Sequence, residues 1–587
     1  MRLNKPLALA ASASLLVLAA CGGGGGDEAK KAEAFKVSAK PVEKNAEAQG
    51  PAPEIEGAQQ GGTVTLIHPD PDDGAASLDP TSGWSVTDNG IMQDLIFRSL
   101  TTYRQNQETG AMELVPDLAT DLGTPNADNT EWKFTIKDGV KWENGKPVTA
   151  EDVAFGIKRS LDTESVEGPG AQYSAEYFLG GDKYKGPYVD GEDFEAVSVE
   201  GNTITIKMSK PFPDMDYWGA FAAIGPVPSG KAGQPPAYGL KPLSTGPYKV
   251  QKFTPNKEII LVRNEQWDPK TDPARHQYVD GWNIKFDEDT KASDKLMISN
   301  NDASKTTILT QLQGSSYTEA VKKLGKRVVV APQTCTSFLY PDYKKIDNVD
   351  LRRAIAFAYD YENVWSAGGE IPGTTRVMGN SILPPGMAGY DKDMEPIPGE
   401  KVEFNPEKAK EYMKKAGVEE GTFELSWAYD ASSPEGKDAM EQIKRGYEEA
   451  GFKTKAYPWT DGSLYDVWTD PNNEVNKKIN IKGVAWCQDW PSPLTFIPAL
   501  FQTGQLYNTG GFSEKSIDAE MKKIPSLPIE EQADAWGALD KKINQEFYPA
   551  VNIGYLNNLF VYGEKIGNFQ NDDAQGYPNL KDIYIKK

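Results

Sequence analysis

Cys21 is the residue whose surroundings most clearly indicate a chemical role. It follows the apolar run Leu15–Ala20, and the chain begins with the cations Arg2 and Lys5. A short apolar segment behind a positive start is typical of a secretory signal peptide. Leu18-Ala19-Ala20-Cys21 resembles the bacterial lipobox, which implies cleavage before Cys21 and durable anchoring by several acyl chains. We therefore expect a signal peptide at 1–20 and lipid on Cys21, the alternative being an ordinary signal peptide with an incidental cysteine.

The two other cysteines, Cys335 and Cys487, are the only candidates for a disulfide once Cys21 carries lipid. They are 152 positions apart, and a bridge closing so long a loop would stabilise the fold by up to ~5 kcal/mol. Two unrelated buried thiols are the alternative, which the residues alone leave open.

Residues suited to catalysis are sparse. The chain has only two histidines, His68 and His276, in separate polar surroundings, which disfavours a histidine-based zinc site or a serine hydrolase. Neither a Gly-x-Ser-x-Gly motif nor a phosphate-binding Gly-Lys-Ser/Thr loop occurs. A carboxylate pair for glycoside hydrolysis stays open, because 85 acidic residues always place some pair close together. We expect no cofactor, no metal and no enzymatic activity.

The net charge of −22 excludes most partners that are themselves anionic. Such a surface repels nucleic-acid phosphates, so we expect no nucleic-acid binding. Residues 21–60 combine a glycine run with Lys, Glu, Ala and Pro and lack hydrophobic periodicity. This composition predicts a flexible tether after the lipidated cysteine.

The remaining chain mixes strand and helix patterns, which indicates an α/β protein. The predicted strands include Thr63–Ile67, Trp132–Ile136, a hairpin of 194–199 with 203–208, and Phe452–Tyr457. The predicted helices begin at the capping box of Thr149 and Asp152, at Asn405-Pro406, at Ser433-Pro434 and at Leu527-Pro528.

Five blocks, in order, are similar to one known family, the family 5 extracellular solute-binding proteins, which serve ABC importers of oligopeptides and dipeptides. The blocks are Glu131–Phe155 (EWKFTIKDGVKWENGKPVTAEDVAF), Thr245-Gly246-Pro247-Tyr248, Leu261-Val262-Arg263-Asn264 with Trp267, Val349–Ala358 (VDLRRAIAFA), and Asn405-Pro406-Glu407-Lys408-Ala409. The similarity extends from about Gly61 to the C-terminus.

The resemblance implies a two-lobed periplasmic-binding-protein-like fold, class II and cluster C in type, with a hinge and a ligand cleft between the lobes. Lobe 1 would comprise 61–332 and 556–587, with an extra subdomain at about 81–210. Lobe 2 would comprise 333–555.

The sharpest match is Trp486-Cys487-Gln488-Asp489-Trp490. In the oligopeptide-binding branch a cysteine at this place pairs with one at the lobe junction, where Cys335 stands here. The family's aspartate two residues later receives the peptide α-ammonium, which implies that role for Asp489. A capped turn before Pro491 is the alternative for this residue.

The resemblance extends less closely to other ligand contacts. Trp486, Cys487 and Trp490 are expected near the ligand, although core packing is an equal alternative for each tryptophan. Tyr173 and Tyr177 lie where the family has a tyrosine near the ligand amine. An arginine that helps to bind the peptide carboxylate is replaced here by Gly483, with Lys482 beside it, and lysine is a poor substitute for an arginine fork.

The lipobox and the family resemblance together predict a lipid-anchored binding protein on the outer face of a bacterial cell membrane. Its expected partners are an oligopeptide ligand and the ABC permease subunits, and we expect a monomer. The alternatives are the same fold binding an oligosaccharide or a metal chelate, and a secreted lipoprotein enzyme.

Overall fold

The computed structural model describes residues 39–69, 74–83, 85–166 and 173–587. The predicted signal peptide, Cys21 and residues 22–38 lie outside this part of the chain. The described residues divide into two compact units. The first unit comprises Lys40–Ala331, Pro525–Ile529 and Asn558–Lys587, and the second comprises Ala39, Pro332–Ile524 and Glu530–Asn557. The chain changes units at Ala331/Pro332 and Asn557/Asn558, where the family resemblance predicts 332/333 and 555/556, and again on either side of the short segment Pro525–Ile529.

The main sheet of the first unit is built around the predicted strand at Thr63, which is confirmed as Thr63–His68. In order, its strands are Thr307–Leu309, Thr63–His68, Gly281–Phe286, Glu258–Arg263 and Tyr248–Thr254. The first three are parallel and the last two pairings are antiparallel. Leu66, Trp282 and Ile259 are fully buried in one hydrophobic cluster with the segment Met92–Ile96, because strands covered on both faces are apolar along most of their length.

A four-stranded antiparallel sheet lies within the predicted subdomain at 81–210. Its strand order is Thr124–Pro125, Glu131–Thr135, Thr203–Lys207 and Val197–Glu200. The predicted hairpin is confirmed, with Gly201 at a φ of 59° in its turn. The predicted capping box is confirmed too, since the Thr149 side chain accepts from the Asp152 N–H and begins helix Ala150–Arg159.

Residues 40–60 correct the prediction of a tether that extends to residue 60. Glu43–Lys44 adds as a parallel strand to Met112–Pro116. The Lys44 ammonium lies 2.6 Å from the Asp216 carboxylate and 4.3 Å from the centre of the Tyr217 ring. Ala48 is buried against the first unit, as are Ala52 and Ile55. Small apolar side chains and one paired charge are sufficient to order residues 40–60, because the rest of the first unit supplies the surface on which they pack.

The second unit has its own sheet and helical layer. Its strands follow the order Lys453–Trp459, Glu424–Asp430, Ile481–Cys487 and Val328–Pro341, and Arg376–Val377 pairs with Val551–Tyr562. The predicted helices after Asn405 and Ser433 are confirmed as Pro406–Lys415 and Pro434–Glu449, each capped by the expected side chain. The helix predicted from Leu527 is observed as Ile529–Lys542, with a π-helical turn at Ile543–Phe547.

The remaining elements are short or lie outside these sheets. The other α-helices are Val86–Ile91, Tyr173–Tyr177, Met215–Trp218, Ala237–Leu240, Thr290–Ser299, Tyr317–Leu324, Val349–Ala358, Tyr361–Ala367, Leu464–Trp468, Ile497–Phe501 and Lys515–Lys523. The other strands are Thr101–Gln105, Ile566–Gly567, Asn571–Asp572, Tyr577–Pro578 and Tyr584–Ile585. Among the described residues, no helix is both long and apolar enough to cross a membrane.

Candidate functional site

The strand Ile481–Cys487 carries the candidate site of the second unit. It runs antiparallel to Val328–Pro341, and the register places Cys487 opposite Cys335. The two sulfur atoms form a disulfide, with a Cα–Cα distance of 3.9 Å. The pairing implied by the family resemblance is therefore confirmed. The covalent bond fixes the strand two residues before Asp489.

Asp489 is half-buried, directly beyond the end of this strand. The adjacent Gln488 N–H donates to the Thr334 carbonyl at 3.2 Å, which continues the strand pairing past the disulfide. Burial raises the pKa of Tyr507, and the negative charge of Asp489 raises it further. The Tyr507 phenol is therefore within electrostatic range of the Asp489 carboxylate. The site combines one acidic side chain with an aromatic residue whose pKa it raises.

Trp486 is held in a fixed orientation beside Asp489. Its indole N–H donates to the Thr495 carbonyl at 2.8 Å, and its ring centre is 4.7 Å from that of Tyr507. Both rings are half-buried, which leaves part of each aromatic surface accessible. Trp490, by contrast, has an exposed fraction of 0%. Its ring is fully buried, as core packing would require, whereas Trp486 keeps an accessible face; both residues remain predicted ligand contacts.

The glycine that replaces the family's arginine has a structural reason in this chain. A Cβ atom at Gly483 would lie 2.8 Å from the Trp468 ring, so the indole occupies the space a side chain would need. Lys482 lies opposite Tyr340, and successive side chains of a strand point to opposite faces. Lys482 therefore does not fill the place of a side chain at position 483, and burial lowers its pKa.

The structure adds two tyrosines that the sequence did not single out. The Tyr465 hydroxyl donates to the Ala485 carbonyl at 2.6 Å and accepts from the Ala485 N–H at 2.8 Å. The Tyr465 and Tyr507 rings are 6.2 Å apart, and Tyr465 is 5.5 Å from Trp468. In the sequence these residues are two of 26 tyrosines, and no motif surrounds them. Only their position beside Ile481–Cys487 identifies them.

Tyr173 and Tyr177 belong to the first unit, whereas Asp489 belongs to the second. Both lie on the short helix Tyr173–Tyr177, with ring centres 6.3 Å apart. Tyr177 stacks on Phe212 at 4.1 Å and is buried, which raises its pKa well above the ordinary value. We correct the assignment of Tyr177, because its ring is part of the first unit's core. Tyr173 is half-buried, 5.6 Å from Trp218, and remains a predicted ligand contact.

The two histidines have structural surroundings. His68 is buried, its Nε2 lies 2.8 Å from the Thr87 hydroxyl, and burial lowers its pKa to about 4. His276 lies 2.8 Å from an Asp582 carboxylate oxygen and stacks on Tyr278. In the described part of the chain, no three His, Cys, Asp or Glu side chains are grouped as a metal site requires. These contacts assign the histidines to the packing of the first unit.

Comparisons with known proteins identify the family of this chain. The family described as bacterial extracellular solute-binding proteins, family 5 (middle), matches residues 113–508, which is more than half of the chain. The oligopeptide-binding protein OppA of Bacillus subtilis is 24% identical over 486 residues, covering 74% of this chain and 82% of that protein. The periplasmic murein peptide-binding protein MppA of Escherichia coli is 23% identical over 530 residues, covering 88% and 92%.

A solved structure confirms the fold class. The clavulanic acid biosynthesis oligopeptide binding protein 2 superposes with a TM-score of 0.81 at 20% identity, over 94% of this chain and 99% of the other. The predicted α/β binding-protein fold is therefore confirmed. Together with the match over residues 113–508, this places the chain in family 5 of the bacterial extracellular solute-binding proteins.

Proposed function

We propose that this protein captures oligopeptides outside the cytoplasmic membrane and delivers them to the permease of an ABC importer. The observation that carries the proposal is the position of Asp489, which follows a disulfide-fixed strand and whose charge acts on Tyr507, the ring packed on Trp486. The relatives OppA and MppA, named for oligopeptide and murein peptide binding, support the same ligand class.

Asp489 neutralises the peptide's α-ammonium. A charge removed from water is costly unless a counter-charge accompanies it, so an enclosed ammonium requires a carboxylate. The peptide main chain then adds as a strand, and its hydrogen bonds are independent of side-chain identity. Water bridges the varied side chains to the aromatic walls. This combination binds many peptides by their common atoms.

The chain crossings that lie within the strands Val328–Pro341 and Val551–Tyr562 are the proposed hinge. Closure about them encloses the ligand, and the permease recognises the closed form. Lipid on Cys21 keeps the protein at the membrane surface, because two or more acyl chains bind a bilayer durably. Energy from ATP is supplied by other subunits of the importer, and the role of this chain is binding rather than catalysis.

Calorimetry with Ala-Ser-Ala and its N-acetylated form tests the role of Asp489. We expect Asp489→Asn to weaken binding of the free peptide by two to three decades, at ~1.4 kcal/mol per tenfold. Acetylation should cost the wild type a similar factor and should cost Asp489→Asn little more, because both changes remove the same ion pair. Asp461→Asn, at an exposed position of the same unit, is the matched control.

Unchanged affinity of Asp489→Asn for Ala-Ser-Ala would contradict the role of Asp489, and no binding of Ala-Ser-Ala by the wild type would contradict the peptide proposal. A natural ligand without an ammonium, such as an oligosaccharide facing Trp486 and Tyr507, predicts the second result. Turnover of the added peptide would instead support the enzyme alternative. Mass spectrometry of ligands released from the purified protein identifies the natural class.

A further inference from the structure

The backbone N–H and C=O groups of Ile481–Cys487 point alternately toward the strand Val328–Pro341 and away from it. In an antiparallel pair, residues that exchange hydrogen bonds alternate with residues whose N–H and C=O groups point away from the partner. Gln488 bonds to Thr334, and Pro341, which lacks an N–H, lies opposite Ile481. The outward-pointing residues are therefore Ile481, Gly483, Ala485 and Cys487, on the side away from Val328–Pro341. Ile481 is paired on that side with Trp427 of the strand Glu424–Asp430, so the edge that matters here begins at Gly483.

Tyr465 occupies this edge at Ala485. Its hydroxyl bonds to both outward groups of that residue, at 2.6 Å to the carbonyl and 2.8 Å to the N–H. An added strand would need those same two groups. The Tyr465 hydroxyl therefore makes the two hydrogen bonds with Ala485 that a residue of a bound peptide would otherwise make.

Trp468 extends the obstruction toward Gly483. Its ring covers this glycine closely and lies 5.5 Å from the Tyr465 ring. Tyr465 is half-buried among these aromatic residues, and burial raises its pKa to about 12. The phenol thus remains protonated, and it can donate and accept at the same time.

Strand geometry gives the length of ligand that fits between Asp489 and Tyr465. Asp489 is four residues beyond Ala485 and two beyond the end of the strand, so the distance between them is at most about 13 Å, the length of four extended residues at ~3.3 Å each. Three residues of an extended ligand occupy about 10 Å. A ligand whose ammonium contacts Asp489 and whose main chain follows this edge therefore meets Tyr465 after its third residue.

We propose that Tyr465 limits the ligand to peptides of two or three residues by occupying the strand edge at Ala485. This inference rests on the proposed function, because it takes the ammonium at Asp489 as the starting point. It assigns Tyr465 as a specificity-determining residue, with Trp468 supporting its position.

The test compares dissociation constants of Ala-Ser-Ala and Ala-Ser-Ala-Ser-Ala-Ser by calorimetry. For the wild type we expect the tripeptide to bind at least tenfold more tightly. Tyr465→Ala should reduce this preference at least fivefold, because it frees the backbone groups of Ala485. Tyr465→Phe should retain the preference, because the ring still blocks the edge. Tyr429→Ala, at a half-buried tyrosine on the neighbouring strand Glu424–Asp430, is the matched control and should retain it as well, because Tyr429 packs in a different cluster from Trp468.

The outcomes separate the two proposals. Equal or tighter binding of the hexapeptide by the wild type overturns the length limit and leaves the peptide function intact, whether or not Tyr465→Ala folds. A folded Tyr465→Ala with an unchanged preference also overturns the assignment of Tyr465. Binding of neither peptide by the wild type overturns the proposed function itself.

Discussion

Cys335 and Cys487 lie opposite each other on antiparallel strands, and their disulfide joins the strand of a chain crossing to the strand that precedes Asp489. Cys335 is four residues after Ala331, where the first segment of the first unit ends. Cys487 is two residues before the proposed ammonium contact. One covalent bond therefore connects the proposed hinge strand with the proposed ligand site.

Removal of this bond should lower both stability and affinity. We expect the double variant Cys335→Ser and Cys487→Ser to lose about 2–5 kcal/mol in free energy of unfolding, measured by denaturant titration. Peptide affinity should fall as well, because Asp489 loses its fixed position. Dithiothreitol should reproduce the effect in the wild type and leave the double variant unaffected. A double variant with wild-type stability and affinity would contradict the positioning role.

The contact between Lys44 and Asp216 predicts the behaviour of the N-terminal segment. Lys44→Ala leaves the Asp216 side chain, which is only 5% exposed, without its cation, at a cost of about 1–3 kcal/mol. Residues 40–60 should then detach, and a glutamate-specific protease should cleave at Glu54 and Glu56 faster than in the wild type. Lys141→Ala, at an exposed lysine of the same unit, is the control. Equal cleavage rates in all three proteins would show that the ion pair does not hold the segment.

The close approach of Trp468 to Gly483 predicts a paired effect. Gly483→Ala should lower the free energy of unfolding by about 1–3 kcal/mol, because its methyl group overlaps the ring. Adding Trp468→Ala removes the overlap, so the double variant should lose less than the sum of the two single losses. Denaturant titration of the four proteins measures this coupling. If the two single losses in free energy of unfolding added exactly, the Trp468 indole would not contact position 483, and the prediction would be wrong.

His68 predicts a loss of stability in acid. Burial lowers its pKa from 6.5 to about 4, so between these values the unfolded chain binds a proton that the folded chain does not. The free energy of unfolding therefore falls as pH drops through this window, by about 3 kcal/mol from this residue.

His68→Gln isolates this contribution, because glutamine retains a polar atom for Thr87 and does not titrate. Burial raises the pKa values of Asp540 and Asp572 to about 6, which opposes the trend, but both proteins share these groups and the difference cancels them. Urea titrations at pH 7 and pH 4 should give a smaller loss for His68→Gln. Parallel losses would contradict the buried neutral histidine.

Local rules were sufficient for much of the secondary structure. The capping box of Thr149 and Asp152, the starts at Asn405 and Ser433, and the hairpin around Gly201 all depend on neighbours within a few residues. The order of the sequence blocks was sufficient to indicate the family, because five blocks follow one another in the order in which the family has them. The Cys335–Cys487 pairing came from that resemblance, since two cysteines 152 positions apart do not by themselves reveal a bond.

The features that define the site required contacts between distant segments. Tyr465 is 20 residues from Ala485 in the chain, and Trp468, whose ring covers Gly483, is 15 residues from that glycine. Nothing in the composition distinguishes these two residues from the other tyrosines and tryptophans. Tyr177 carries a side chain suited to binding, yet packing on Phe212 places it in the core of the first unit. Residues 40–60 looked unable to order themselves, and alone their small side chains bury little. Amino-acid order therefore determined the elements and the family, whereas tertiary structure decided which side chains are buried, because burial depends on surfaces that other parts of the chain supply.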